Sequence, residues 1–209
     1  MKKLAFLVSG SGTNLQAVMN ACSSGEIKGR IDLVISTSPY AYALVRAESA
    51  HIANFSLPLS SFKTKEDRDA EILSLLKRYD IDYVVLAGYR AILSKNVVAE
   101  SQNRIITLHA SLLPKYGGKG FVGERIHRAV LAMREVESGA TAFFVTNEVD
   151  KGPIIEQRKL RVGRGDNPRT LQERILKQIE HPMLVSIIRD LCEDKIRVEN
   201  SQVIRDQEV

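Results

Sequence analysis

Short apolar runs alternate along this chain with stretches whose apolar positions recur every three or four residues. Leu4 to Val8 is a continuous apolar run and reads as a buried strand. Directly after it, Leu15, Val18, Met19 and Cys22 fall at i, i+3, i+4 and i+7, one face of a helix. Ile31 to Ile35 predicts a second strand, followed by an alanine-rich helix from about Tyr40 to Ala50. Thr64 is placed to cap a helix whose Ile72, Leu75, Leu76 and Tyr79 face the core. Strands are predicted at Tyr83–Ala87 and Arg104–His109. A helix from about Glu124 to Arg134 then carries Ile126, Ala129, Val130 and Met133 at helical spacing. Ala140–Thr146 is β-prone, and Ile154–Arg161 less clearly so. The last long helix starts near Thr170 and must kink or restart at Pro182, which lacks an N–H and crowds the preceding turn. Val198 to Ile204, around Asn200, predicts a closing hairpin.

Strands separated by helices imply an α/β fold, with a mostly parallel central sheet flanked by helices. Such sheets place their ligands beyond the carboxyl ends of the strands, so that is where chemistry is expected. The length of 209 residues fits one domain over 1–209, and 44% apolar residues are enough for a core without disulfides. No apolar run approaches the roughly 18 to 20 residues a membrane helix requires. The opening Met1–Val8 stretch is too short for a secretory signal and runs into Ser-Gly turn chemistry, so a cytoplasmic protein is expected. Cys22 and Cys192 form no CxxC pair, and the four histidines form no HExxH, so no metal site is expected. The net charge of +5 reads as a mildly basic surface or a preference for phosphorylated ligands. The basic cluster at Lys115–Arg128 holds only the aromatics Tyr116 and Phe121, and the cluster at Arg158–Arg164 holds none. Neither forms the regular stacking series of a single-strand platform, so no nucleic-acid partner is expected.

Three segments carry candidate chemistry. Ser9-Gly10-Ser11-Gly12-Thr13-Asn14 follows the first strand and opens the first helix. Its glycines let the backbone approach a ligand, and free N–H groups with the helix dipole favour an anion. It matches neither G-x-G-x-x-G nor a P-loop, which suits a single phosphate group better than a dinucleotide. In Thr107-Leu108-His109 the side chains of Thr107 and His109 leave the same face of one strand, and His109 sits where that strand ends. The turn Glu148–Pro153 holds Asp150, a carboxylate that beside His109 would favour its protonated form and orient the ring.

Together these segments resemble the phosphoribosylglycinamide formyltransferases, the folate-dependent enzymes of purine synthesis. The resemblance runs from Val8–Ala17, through Val84–Tyr89 and Ile92-Leu93-Ser94, to His109-x-Ser111-Leu112-Leu113-Pro114. It continues through Gly118–Phe121, Asp150-x-Gly152-Pro153-Ile154-Ile155 and Glu180-His181. It implies a Rossmann-like formyltransferase fold with 10-formyltetrahydrofolate as co-substrate and no metal. A phosphate-binding half at about 1–100 would precede a catalytic and folate-binding half at about 101–209. Gly12, Thr13 and Asn14 would hold the phosphate of a phosphorylated ribonucleotide amine, and Glu180 would contact the same substrate. One residue is inserted between Arg174 and Glu180. Lys65, Arg90, Ala91, Ile92 and Leu93 would line the folate cleft, and His109, Asp150 and Thr107 would form the catalytic centre. The implied partners are small molecules, with no membrane, and the chain would be a monomer or homodimer.

Thr107 stands where the family has Asn, Ala110 where it usually has Pro, and Phe143 where it usually has His. Arg90-Ala91 also departs from the usual folate loop. The departures gather at the expected centre, leaving three functions open: formyl transfer to glycinamide ribonucleotide, action on another amine or hydrolysis of formyl-folate, and ligand binding without catalysis.

Overall fold

The computed structural model describes residues 1–206. One seven-stranded sheet forms the centre, with strands in the order β3-β2-β1-β4-β5-β6-β7. The strands are β1 (Lys2–Val8), β2 (Gly29–Ser36), β3 (Ala53–Ser56), β4 (Tyr83–Ala87), β5 (Ile105–His109), β6 (Glu137–Phe144) and β7 (Ile154–Arg161). The first five are parallel, while β6 and β7 pair antiparallel. The helices are α1 (Thr13–Ser23), α2 (Tyr42–Ser49), α3 (Lys65–Arg78), α4 (Lys95–Glu100), α5 (Glu124–Ala132), α6 (Pro168–Ile175) and α7 (His181–Cys192). A small separate hairpin, β8 (Ile196–Glu199) and β9 (Gln202–Arg205), follows.

β1 explains the architecture. Leu4 to Val8 are all fully buried, because helices cover both faces of the sheet. Leu4, Phe6 and Val8 join a core with Leu15 and Val18 of α1 and Ile187 and Ile188 of α7. Ala5 and Leu7 face the other way, toward Ile72, Leu75 and Leu76 of α3 and Val97 of α4. Thr64 caps α3 through a reciprocal box with Asp67, as the sequence predicts.

One expectation changes and two are sharpened. Met133 is 70% exposed, because α5 stops at Ala132 and the residue only follows it. The last long helix restarts at His181-Pro182, one of the two outcomes expected there. A π-helical turn, Leu176–Glu180, lies between α6 and α7. Ile154–Arg161 is a full strand, pairing along β6 from Glu137 to Phe143.

β1 lies between β2 and β4, where the strand order reverses direction. A crevice opens beyond the carboxyl ends of β1 and β4 at such a point.

Candidate functional site

The loop Ser9–Gly12 leaves β1 at that crevice. Gly12 has φ +70, and a Cβ built on it would stand 2.6 Å from the Cβ of Ala43, so conformation and space both demand glycine. α1 starts at Thr13 with no side-chain cap. The amides of Ser11, Gly12, Thr13, Asn14 and Leu15 meet no acceptor among the described residues. Uncapped amides and the positive end of the helix dipole make a ready anion site.

Asn14 is 8% exposed, and its Nδ2 donates to Glu180 Oε2 at 3.0 Å. Its Oδ1 is buried without a partner. Burial pushes the Glu180 carboxyl above the ordinary carboxylate range, while the Asn14 hydrogen bond and the nearby His109 charge act the other way. Glu180 closes the π-helical turn. A π turn accommodates one extra residue within a helix. From this turn the Glu180 side chain reaches Asn14 of α1.

β5 delivers His109, 8% exposed, at its end. Its Nε2 lies 2.7 Å from the carbonyl oxygen of Tyr116. A carbonyl can only accept, so Nε2 carries the hydrogen. Nδ1 faces Asp150 Oδ2 at 3.8 Å, too far for a hydrogen bond but close enough for charge attraction. Asp150 lies on the turn between β6 and β7 with φ +56, and its Oδ2 accepts the Gly118 N–H at 2.7 Å. A Cβ at Gly152 would stand 1.6 Å from the Phe144 carbonyl oxygen, so glycine is required where this turn re-enters the sheet.

The segment after His109 is fixed by a polar network that the sequence analysis missed. Thr141 Oγ1 donates to the Ser111 carbonyl at 2.7 Å and accepts from the Leu113 N–H at 3.1 Å. Gln157 Nε2 reaches both the Leu113 carbonyl and Thr141 Oγ1 at 2.9 Å. Thr141, a hydroxyl among the buried apolar residues of β6, was the available signal, whereas Gln157 is one polar residue among several on β7.

Thr107 lies opposite Phe143, whose side chain is buried. The Thr107 hydroxyl donates to the Leu86 carbonyl of β4 at 3.4 Å. That long bond is weak, and it turns the donor into the sheet rather than toward His109.

The segment Arg90–Leu93 follows β4. The Arg90 N–H donates to Ser9 Oγ at 3.0 Å, and Thr37 Oγ1 donates to the same oxygen at 2.7 Å. The glycine loop and this segment are therefore tied together. Ile92 is 61% exposed, Ala91 half-buried and Leu93 buried, which gives the cleft an apolar lip. Asp69 anchors the far end: its Oδ2 accepts the Ser94 N–H at 2.5 Å, and its Oδ1 takes Arg68 Nη2 at 2.6 Å, both charges being buried. Lys65 lies one turn before Asp69 on α3, which puts it on the same side of that helix. Lys65 makes no hydrogen bond or ion pair among the described residues. Two cavities lie elsewhere, about 220 Å³ beside Leu73 and Glu100 and about 510 Å³ beside Lys177 and Arg189.

The formyl transferase family model matches residues 2–188. Phosphoribosylglycinamide formyltransferase of Escherichia coli (strain K12) is 38% identical over 190 residues, which is 90% of this chain and 87% of that protein. The crystal structure of glycinamide ribonucleotide transformylase 1 from Symbiobacterium toebii is similar at TM-score 0.92 and 35% identity, covering 99% of this chain and 95% of that one. A formyltetrahydrofolate deformylase from Pseudomonas syringae is similar at TM-score 0.88 and 27% identity, covering 99% of this chain and 66% of that one.

Proposed function

The chain belongs to the formyl transferase family, and from that premise we propose that it transfers a formyl group from 10-formyltetrahydrofolate to the amine of glycinamide ribonucleotide, a step of purine synthesis. The observation that carries the reading is the meeting of two unlike sites across one crevice. On one side stand the uncapped amides of Gly12, Thr13 and Asn14, with Glu180 beside them. On the other stand His109 and Asp150, their facing atoms 3.8 Å apart. A phosphorylated amine fits the first side, and an acyl-transfer reaction needs the second.

Bound in the crevice, the folate would supply the formyl group and the ribonucleotide the attacking amine. The apolar lip at Ala91, Ile92 and Leu93 suits a flat heterocycle, and the free ammonium of Lys65 suits its acidic tail. Asn14 Oδ1, a buried acceptor without a partner, and Glu180 would take hydroxyl donors of the ribose. His109 has Nε2 committed to Tyr116, so Nδ1 is the nitrogen free to act. As an imidazolium it would place a positive N–H against the oxyanion formed when the amine attacks the formyl carbon, then pass that proton to the departing folate nitrogen. Asp150 would hold the imidazolium by charge and help remove the proton from the attacking amine.

The test is a direct assay of the purified protein with both substrates, following folate product with and without the amine. Amine-dependent turnover is expected. Turnover that ignores the amine would replace this reading with hydrolysis of formyl-folate. Silence with both ligands bound would point to another acceptor or to a protein that only binds.

A further inference from the structure

The crevice leaves one charged group unassigned. Arg46, in the last turn of α2, bonds to the glycine loop. Its Nε donates to the Ser11 carbonyl at 2.9 Å, and its Nη1 donates to Gln16 Oε1 at 2.8 Å. Its guanidinium lies 4.9 Å from the centre of the Tyr42 ring, a stacking arrangement that stiffens it further. One helical turn earlier, the Ala43 N–H donates to the Gly10 carbonyl at 3.1 Å. Consecutive carbonyls of the loop are thus both held by α2.

In a trans peptide unit, C=O and N–H point in opposite directions. Drawing the Gly10 and Ser11 carbonyls toward α2 therefore turns the Ser11 and Gly12 amides away from it, and those are amides without an acceptor among the described residues. The Gly12 carbonyl is also taken, by the Gln16 N–H at 2.9 Å inside the first turn of α1. With three successive carbonyls engaged, the amide donors of this loop are left for a ligand. We propose that Arg46 is a positioning residue for the phosphate of the acceptor substrate: its two-pronged grip on Ser11 and Gln16 sets the peptide planes of the glycine loop so that the amides converge on the anion. It acts through the loop and does not itself touch the reacting atoms. This inference rests on the phosphate-binding reading of the loop given above.

The requirement is the shape of the guanidinium and not only its charge. A lysine could bond the Ser11 carbonyl or Gln16, but its single ammonium lacks the planar fork that spans both. Two variants separate these roles. Arg46→Met removes charge and fork, while Arg46→Lys keeps the charge. Both are measured for KM and kcat with glycinamide ribonucleotide, for binding of inorganic phosphate by calorimetry, and for thermal melting. Each variant should raise KM and weaken phosphate binding on the order of tenfold, about the worth of one fixed hydrogen bond to a charged group, while kcat moves far less. Phosphate affinity of Arg46→Lys within twofold of the unaltered protein would overturn the positioning role in favour of charge alone. A fall in kcat matching the rise in KM, or a loss that tracks melting temperature, would also overturn it. The phosphate measurement does not depend on turnover. If the unaltered protein binds phosphate but does not formylate glycinamide ribonucleotide, the acceptor assignment fails while the role of Arg46 is still decided.

Discussion

At the loop after β1 the groups without partners among the described residues are backbone amides, whereas beside the end of β5 two side chains face each other, His109 and Asp150 of the β6–β7 turn. The amide site depends on Gly12, which no other residue could replace without meeting Ala43, and on carbonyls held by α2. The side-chain site depends on one imidazole held by the Tyr116 carbonyl and one carboxylate held by the Gly118 amide. Of the departures that the resemblance implies, Thr107, Ala110 and Phe143 fall near the second site, and Arg90-Ala91 on the segment tied to the glycine loop through Ser9. The contrast has a physical basis. A backbone nest tolerates little change, because a Cβ or a rotated peptide destroys several donors at once. A side-chain site can exchange one donor for another and keep its scaffold.

The largest expected effects follow from removing the two groups that face each other. His109→Ala should lower kcat on the order of 10³-fold, since in the proposed mechanism it would delete both the oxyanion partner and the proton donor. Asp150→Asn keeps the shape of the turn and should lower kcat about 10²-fold. Steady-state rates with both substrates, beside thermal melts close to those of the unaltered protein, are the check. Near-normal rates in both variants would mean that this side-chain pair is not the reaction centre.

Gly12→Ala probes the other side and should act mainly on KM. The alanine must adopt φ near +70, which costs about 1 to 2 kcal/mol, and must push against Ala43 besides. KM for glycinamide ribonucleotide should rise by about tenfold or more, with a visible loss of melting temperature. If KM stayed constant while kcat fell, the two sites would not divide the work as the comparison holds.

Much of this contrast is legible in the sequence, and the rest is hidden for identifiable reasons. Glycine-rich turn chemistry after an apolar strand marks the anion loop, and a histidine at a strand end marks the second site. β3 (Ala53–Ser56) escapes because four half-buried residues on a sheet edge show no apolar run. α4, six residues long, is too short to show a period. Nothing in Lys65-Glu66-Asp67-Arg68-Asp69, five charged residues in a row, tells that the last two are buried under the cleft. The carbonyl of Tyr116 has no sequence signature at all, since every residue carries one. Nothing in the sequence sets Arg46 apart from other charges on a helix, since its partners lie on the glycine loop and the helix that it opens.

A smaller effect is expected at Thr107, and its sign is informative. The hydroxyl donates weakly to Leu86, so the site gains little from it where charge develops. Asparagine carries an NH₂ on a longer arm and could turn a donor toward His109. Thr107→Asn should raise kcat by up to about tenfold, part of what one oxyanion donor is worth. A drop in kcat would show instead that the centre is packed around threonine and the buried Phe143, and that the departures compensate one another.

The smallest effect at neutral pH concerns a residue of neither site. His127 on α5 is fully buried, and neither ring nitrogen has a hydrogen-bond partner among the described residues. Burial pushes its pKa down to about 4, partly offset by Glu124, with the nearby His109 charge lowering it further. The ordinary value is about 6.5, so the unfolded chain takes up the proton first as the pH falls. Stability is complete above about pH 6.5 and is lost progressively down to about pH 4, by roughly 3 kcal/mol in total. His127→Leu should flatten this acid limb and leave the activity at neutral pH close to that of the unaltered protein. Denaturant unfolding at a series of pH values decides the matter. An acid limb unchanged in His127→Leu would assign the loss to other groups. A large fall in activity at neutral pH would bring His127 into the His109 site, and the division between scaffold and side-chain chemistry would have to be redrawn there.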